Sequence, residues 1–560
     1  MASTSINPPQ VVDLKWRQGV DPASGGRPPI VPNRHEIADG MDITWDVPVQ
    51  VRDGTILYVD VFRPENFQAP LPIILTISPY GKHGPKTFAL FPGSGVPEGS
   101  VSPYCVWEGP DPLYWTKRGF AVINADSRGS WGSGGDLEIF SRQDSQDGYD
   151  VVEWAGTRDW SNGKVATMGV SYLAIVQWGI AELNPPHLAC FVPWEGFTDL
   201  YRDYCYHGGI PETKFLHFTA WSCRAGLNKV EDWIQNIRDH PLCDAYHKSK
   251  CSQDQLAKIR APAYVVIDWG DYGMHTRGCL NGFVGIASKD KFLEVHGQKK
   301  WQYFFQDSSL QRQEAFLAKY LKGEATEVDS WPRVRLEIRD RAWQGSAWRD
   351  EHEWPLARTQ YVPKYLDAAS GTLRDAPVRD PGVAAYESTV VDDSARFTYT
   401  FDKETELTGG MRLRLWVATD KANDMDLFVQ LDKIDVQGER APFVAFSMVD
   451  DGPLALGWLR VSHRELDLRK STVDRPWHKH ERELLLEPME VVPVDVEILP
   501  TSTVFRKGEK LRLNVQGNDS FRHSTPDVVQ FHEDLRNKGK HFIYTGGLHE
   551  SYLVFPEINS

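Results

Sequence analysis

A serine lies where a short apolar run changes to a helical pattern, in the segment ATMGVSYLAIVQWGIAEL at 166–183. The run KVATMGV predicts a strand, and Ser171 follows it in the turn before an apolar helix. Small residues flank a nucleophilic serine at such a strand–turn–helix junction because the sharp turn brings neighbouring backbone close. Gly169 precedes the serine, and Ala174 takes the place of the usual second glycine. The segment predicts a nucleophile at Ser171, with an ordinary serine at a strand end as the alternative.

Candidates for a general base, and for the carboxylate that orients it, follow two later strands. A serine nucleophile needs both groups to lose its proton. The run AYVVID (263–268) ends at Asp268, with Asp271 shortly after it, and the run KFLEVH (291–296) ends at His296. Because the carboxyl ends of parallel strands meet at one edge of a sheet, these side chains are expected near the serine. We predict His296 as the base and either Asp268 or Asp271 as the acid.

The first half of the chain alternates short apolar runs with helical segments, which predicts a largely parallel α/β sheet. Residues 197–258 hold no obvious strand but many aromatic residues at helical spacing, which predicts a helical cap inserted between two strands of the sheet. From residue 368 onward, short strands separated by turn residues predict a β-sandwich or jelly roll. The predicted domains are a core at 1–196 and 259–367, a cap at 197–258 and a β domain at 368–560.

Composition excludes several classes of partner. The 560 residues include 62 basic and 77 acidic side chains and carry a net charge of −15, so no nucleic-acid partner is expected. No apolar run approaches the roughly 18 residues that span a bilayer, so no membrane partner is expected either. The seven cysteines are odd in number and form no CxxC pair, which favours a reducing, cytoplasmic location and argues against a zinc site.

Several long motifs occur in an order typical of one enzyme family. They are VRDGTILYVDVFRPE (51–65), SPYGK (78–82), DSRGSWGSGG (126–135), the turn around Ser171, the Trp-Gly-Asp turn at 269–271 and GWLRVSHREL (457–466). With these motifs the chain resembles, over nearly its whole length, the cocaine-esterase-like (CocE/NonD) α/β-hydrolases, relatives of the X-Pro dipeptidyl aminopeptidases. The resemblance implies an α/β-hydrolase fold with an inserted helical cap, followed by an all-β jelly-roll C-terminal domain.

The same resemblance implies roles for individual residues. The family's acid lies in a W-x-D turn, which favours Asp271 over Asp268, and its base follows the next strand, as His296 does. The family also uses a tyrosine hydroxyl after the first core strand as an oxyanion donor. This hydroxyl corresponds to Tyr80, paired with the backbone N–H of Tyr172. Donors aimed at a developing oxyanion lower the barrier by several kcal/mol, about 3–4 for one donor.

The sequence therefore predicts a serine hydrolase that cleaves an ester or related acyl bond through an acyl-enzyme, without a metal or organic cofactor. Aromatic residues of the cap, such as Phe218, Trp221 and Trp233, are expected to line the pocket, so the predicted small-molecule substrate is bulky and apolar or aromatic. An acyltransferase or an X-Pro aminopeptidase on the same triad is the alternative, the latter with Glu212, Glu231 or Asp232 holding the substrate's ammonium group. A non-catalytic binding protein is the third interpretation, and assembly into a homo-oligomer is left open.

Overall fold

The structure, a computed structural model, describes residues 12–25, 30–83, 91–345, 347–521, 529 and 531–558. Five strands come first, and from Leu71 to Trp194 strands and helices alternate. In chain order these elements are β1 (Trp16–Gln18), β2 (Arg34–Ala38), β3 (Met41–Gln50), β4 (Ile56–Pro64), β5 (Leu71–Ser78), α1 (Pro112–Thr116), β6 (Ala121–Asp126), α2 (Arg142–Gly156), β7 (Ser161–Val170), α3 (Tyr172–Glu182) and β8 (Leu188–Trp194).

Residues 197–258, predicted as a helical cap, contain short helices together with three very short strands. Their elements are β9 (Tyr206–His207), β10 (Ile210–Pro211), α4 (Phe215–Ser222), β11 (Lys229–Glu231), α5 (Trp233–Asp239) and α6 (Ala245–Ser249). The sequence predicted no strand here, and it assigned the N-terminal segment to the core alone. The structure instead pairs β1 with β11 in antiparallel register. Local sequence does not reveal this pairing because the two segments are far apart in the chain.

Eleven of the described strands form one sheet, and its last four follow the inserted region. The elements of this second part are β12 (Ala263–Asp268), α7 (Thr276–Gly285), β13 (Lys291–His296), α8 (Lys300–Phe305), α9 (Asp307–Leu317), β14 (Val334–Ile338) and β15 (Ala347–Glu351). The strand order is β15-β14-β13-β12-β8-β7-β5-β6-β4-β3-β2, with parallel pairing from β14 to β6 and antiparallel pairing at both margins. The predicted α/β core is confirmed.

The parallel arrangement places the turns that matter for chemistry close together. Strands β5, β6 and β12 are buried along their whole length, as expected for central strands covered on both faces. Only β8 separates β7 from β12, so the turns after these two strands lie near one another at the carboxyl edge of the sheet. Among the described residues, every helix is too short or too polar to cross a membrane.

The chain passes into a second sheet at Thr359, and the C-terminal domain is all-β, as predicted. Its strands are β16 (Thr359–Asp367), β17 (Thr372–Arg374), β18 (Gly382–Glu387), β19 (Ser394–Thr400), β20 (Thr405–Thr419), β21 (Asp426–Ile434), β22 (Arg440–Ala441), β23 (Phe443–Ala445), β24 (Val449–Gly452), β25 (Ala455–Arg460), β26 (Val492–Phe505), β27 (Lys510–Gln516), β28 (Lys540–Thr545) and β29 (Tyr552–Ile558). Strand β29 pairs with both β16 and β20, so the sheet closes on itself. This sheet starts before residue 368, the predicted boundary, because β16 pairs with the distant β29.

Three buried histidines of the β domain, His463, His478 and His480, lie where it meets the inserted region, and His480 packs against Tyr201 with ring centroids 5.1 Å apart. Nδ1 of His463 lies 3.0 Å from Nδ1 of His480, and Arg202 donates to the carbonyl of His478 at 2.8 Å. Burial lowers the pKa of all three imidazoles, to about 4 for His463 and for His478. The contact between the two domains is therefore built from neutral histidines.

We expect the protein to lose stability as the pH falls from about 6.5 towards 4. In this range the unfolded chain binds protons at these histidines and the folded chain does not. Each histidine therefore lowers the free energy of unfolding by on the order of 2–3 kcal/mol. The midpoint of urea unfolding at pH 7.5 and at pH 5.0 measures this loss. A His478→Gln variant should show a smaller difference between the two midpoints than the wild type. The exposed His352→Gln control should keep the wild-type difference, and an equal difference in all three proteins would contradict the expectation.

Candidate active site

Ser171 occupies a sharp turn between β7 and α3 and is partly exposed. Its backbone has φ 58° and ψ −117°, a conformation that L-residues avoid and that nucleophilic serines adopt at such turns. Two glycines make room for the turn, because a side chain at either position would clash with a neighbour. A Cβ on Gly169 would lie 2.6 Å from the Cβ of Leu173, and a Cβ on Gly196 would lie 2.8 Å from that of Ala174. Gly196 therefore accommodates the alanine that replaces the usual second glycine.

The loop between β12 and α7 brings an imidazole and a carboxylate to this serine. Oγ of Ser171 lies 3.3 Å from Nε2 of His275, and Nδ1 of His275 contacts the carboxylate of Asp271. His275 follows Asp271 by one helical turn, so a single loop supplies both groups. Asp268, the other candidate acid, accepts the backbone N–H of Gly270 at 2.7 Å instead. The contacts run from serine to imidazole to carboxylate, the order in which the proton of a serine can be taken up.

The structure places His296, the predicted base, elsewhere. It is fully buried at the end of β13, where its Nδ1 accepts the backbone N–H of Gln298 at 3.2 Å and its Nε2 lies 3.3 Å from Glu195. Burial lowers the pKa of His296 to about 3, so its ring is neutral. The predicted pairing of His296 with Ser171 is wrong. The acid and the base were predicted to follow two successive strands, whereas here Asp271 and His275 share one loop.

Tyr80 and Tyr172, the predicted oxyanion donors, lie side by side with ring centroids 5.7 Å apart. Tyr80 follows β5 and is half-buried, and burial raises the pKa of its hydroxyl, which stays protonated and can donate. The N–H of Tyr172 is the first of α3, where amides have no partner within the helix. The Tyr172 side chain is engaged elsewhere, because its hydroxyl donates to Asp144 at 2.8 Å and accepts the N–H of Phe140 at 3.1 Å. Tyr172 therefore offers its amide, and Tyr80 its hydroxyl.

One cation lies beside the histidine within a group of buried carboxyl groups. Nζ of Lys300 donates to Asp271 at 3.2 Å and lies 3.4 Å from Nδ1 of His275. Burial alone would raise the pKa of Asp271, but Lys300 and His275 lower it well below its usual range. Burial raises the pKa of Glu108 to about 8 and that of Glu195 well above its usual range. Asp271 is therefore the ionised member of the group at neutral pH.

A cavity of about 260 Å³ opens beside Tyr80. The N-terminal residues 20–24 cover part of it, and its remaining wall is mainly aromatic, formed by Tyr80, Trp107, Trp131, Phe218 and Trp221. Phe218 and Trp221 thus line this cavity, whereas Ser171 and His275 do not. Trp233 does not line it. It is fully buried within the inserted region and packs against Phe140 with ring centroids 5.8 Å apart.

Two groups among the described residues bring three potential metal ligands together. They are Asp46, Asp60 and His83, and Glu195, Asp271 and His275. In each group a lysine already compensates the negative charge, because Lys82 donates to Asp60 at 2.8 Å and Lys300 donates to Asp271 at 3.2 Å. We therefore assign neither group as a metal site.

Family models match two parts of the chain. Residues 53–229 match the X-Pro dipeptidyl-peptidase (S15 family) model, and residues 326–554 match the X-Pro dipeptidyl-peptidase C-terminal non-catalytic domain. The first match includes Ser171 but ends before the loop that carries Asp271 and His275. The base and the acid therefore have to be taken from the structure.

Known proteins resemble the chain over most of its length. Cocaine esterase from Rhodococcus sp. (strain MB1 Bresler) is 25% identical, over 92% of this chain and 98% of the relative. The crystal structure of a CocE/NonD family hydrolase from Staphylococcus aureus superposes with a TM-score of 0.90 and 40% identity, and the match covers 94% of this chain and 96% of that one. An α-amino acid ester hydrolase, with a TM-score of 0.71 and 16% identity over 95% of this chain and 98% of its own, shares the fold.

The two histidines can be distinguished by the reactivity of Ser171 towards a fluorophosphonate probe. His275→Asn removes the Nε2 that faces Oγ, so the labelling rate should fall at least about 10³-fold. His296→Asn is the matched control, because the asparagine amide can still accept the Gln298 N–H, and its labelling rate should stay within about tenfold of wild type. Labelling that depends on His296 and tolerates loss of His275 would contradict the contacts described above.

Proposed function

Because the chain belongs to the CocE/NonD family of hydrolases and is a serine hydrolase, we propose that it hydrolyses esters of a small aromatic or branched apolar acid through an acyl-enzyme. The observation that carries this proposal is the row of contacts from Ser171 through His275 to Asp271. The strained backbone of Ser171 supports it further, since strain of this kind is typical of an exposed nucleophile.

In the proposed reaction, Nε2 of His275 accepts the proton of Ser171 while Oγ attacks the ester carbonyl. Asp271 holds the Nδ1 proton and stabilises the imidazolium that forms. The Tyr80 hydroxyl and the Tyr172 amide donate to the oxyanion. The intermediate collapses as His275 returns the proton to the leaving alcohol. A water molecule, deprotonated by His275, then attacks the acyl-enzyme, and the released acid leaves Ser171 with its proton restored.

The cavity beside Tyr80 sets the size of the proposed acyl group. A dry cavity of about 150 Å³ is large enough for benzene, so about 260 Å³ holds one ring with substituents. Its walls present indole and phenyl faces, which favour an apolar or aromatic group. Tyr80 belongs both to this wall and to the proposed oxyanion site, so the group bound here is the acyl part of the ester.

An X-Pro aminopeptidase would need a carboxylate for the substrate's ammonium group. Of the three predicted candidates, Asp232 does not line the cavity, and Glu212 and Glu231 are occupied. Glu212 accepts the N–H groups of Phe215 and Leu216, each at 2.8 Å. Glu231 accepts the ammonium of Lys250 at 3.0 Å, and neither carboxylate lines the cavity. These contacts favour the esterase over the aminopeptidase, while an acyltransferase would use the same acyl-enzyme with another acceptor. A small-molecule substrate and a cytoplasmic location complete the proposal.

Ser171→Ala should abolish hydrolysis of p-nitrophenyl esters, with kcat/KM reduced at least about 10⁴-fold and an unchanged circular dichroism spectrum. Ser222→Ala is the matched control, because it removes a hydroxyl that lines the same cavity and should retain activity. Across acetyl, benzoyl and naphthoyl esters, the benzoyl ester should give the highest kcat/KM. Full activity in the Ser171 variant would refute the mechanism, and a clear preference for the acetyl ester would refute the acyl class.

Tyr80→Phe should lower kcat by about 10²–10³-fold with little change in KM, because the lost hydroxyl donates to the transition state and not to the bound ester. Tyr104→Phe serves as the control, since its hydroxyl donates to Asp39 at 2.6 Å. Steady-state kinetics on the benzoyl ester gives both constants. An effect of Tyr80→Phe confined to KM would contradict the oxyanion role of the hydroxyl. The ring would then only line the cavity.

A further inference from the structure

Lys300 is buried at the start of α8 in a place that a lysine does not ordinarily occupy. Its side chain is only 4% exposed, whereas lysine is almost never fully buried unless it is paired. Burial of an ammonium group is costly unless an ionised partner compensates it. The partner is Asp271, whose Oδ2 accepts from Nζ at 3.2 Å.

The surroundings of this pair contain several further ionisable groups. Besides Asp271 and His275, the groups that face the cluster are Glu108, Glu195, Asp268 and His296. Burial keeps these three carboxyl groups protonated and the His296 ring neutral at neutral pH. The guanidinium of Arg339 also acts on Asp268, but the charges that act on His275 itself are one cation, Lys300, and one anion, Asp271.

Lys300 acts on His275 through its charge and not through a hydrogen bond. For Nε2 to accept the proton of Ser171, Nδ1 must carry its hydrogen and donate it to Asp271. Lys300 has no acceptor, so its ammonium, 3.4 Å from Nδ1, acts on the ring electrostatically. A fixed cation at this distance opposes a second positive charge on the imidazole.

We propose that Lys300 is a positioning residue of this site: its ammonium holds the Asp271 carboxylate against His275 and keeps the resting imidazole unprotonated in mildly acidic solution. The inference rests on the proposed function, because it assigns Lys300 a role through the base of that reaction. Burial lowers the pKa of His275 to about 4. Asp271 opposes this shift and Lys300 reinforces it. Without Lys300, protonation of His275 and of Asp271 would both occur at higher pH, and both changes would inactivate the base.

The test is the pH dependence of Ser171 labelling by a fluorophosphonate between pH 4.5 and 9. The acid limb is the pH at which the labelling rate falls to half of its plateau on the acid side. In the wild type it should lie well below pH 6.5. In Lys300→Met, which keeps most of the apolar stem, the limb should move up by about one pH unit or more. The ratio of the rate at pH 4.5 to that at pH 8.5 should then fall about threefold or more. Lys299→Met is the matched control, because that ammonium pairs with Asp450 at 2.9 Å, and its limb should match the wild type.

Each outcome decides the proposal. A wild-type limb at or above pH 6.5, or identical limbs in the wild type and Lys300→Met, would overturn the role of Lys300 while leaving the esterase proposal intact. If Lys300→Met does not fold, Lys300→Arg takes its place. It retains a cation and should keep the low limb, and a raised limb in that variant would count against the charge-based role. If the wild-type protein is neither labelled nor active on any ester, the proposed function is refuted, and the role of Lys300 is refuted with it.

Discussion

Asp271 and His275 lie on the single loop that joins β12 to α7, and the position of this loop sets the contact between the imidazole and the nucleophile. On the side of the sheet, the loop is held through Trp269. Its backbone N–H donates to the carbonyl of His296 at 2.8 Å, and its indole N–H donates to that of Glu337 at 2.9 Å. A displacement of about 1 Å in such a group is enough to slow a reaction considerably, so these anchors matter for chemistry as well as for stability.

The same loop is held on its other side by the β domain. The carbonyl of Gly270 accepts the N–H of Phe446 at 2.8 Å, and the hydroxyl of Tyr272 donates to the carbonyl of Leu454. The approach is so close that a Cβ on Gly270 would lie 2.0 Å from the carbonyl oxygen of Val444. The C-terminal domain, although its family model is described as non-catalytic, therefore holds the loop that carries His275, the proposed base. This gives a structural reason for the attachment of the domain to the core.

The sequence was informative where chemistry depends on local pattern and less so where it depends on long-range contacts. The turn at Ser171, the α/β alternation and the all-β C-terminal domain each leave a periodic or compositional signal, and the structure has all three. His275 was missed because the argument expected one functional residue per strand. The spacing Asp-x-x-x-His was a usable signal, since residues four apart in a helical turn face each other. Lys300 left no comparable signal, because its role depends on which carboxyl groups the fold buries around it.

Tyr80 belongs both to the proposed oxyanion site and to the wall of the cavity. Its neighbour Gly81 packs against Trp131, another residue of that wall. Gly81 has φ 92°, and a Cβ there would lie 2.2 Å from Cε2 of the Trp131 indole. The indole N–H donates to the carbonyl of Pro79 at 3.2 Å, so the ring rests on the backbone on both sides of Tyr80. In the proposed mechanism, an acyl group that presses on Trp131 would therefore also displace the Tyr80 hydroxyl. The fit of the acyl group and the stabilisation of the transition state would then be coupled through this contact, and a poorly fitting ester would lose both.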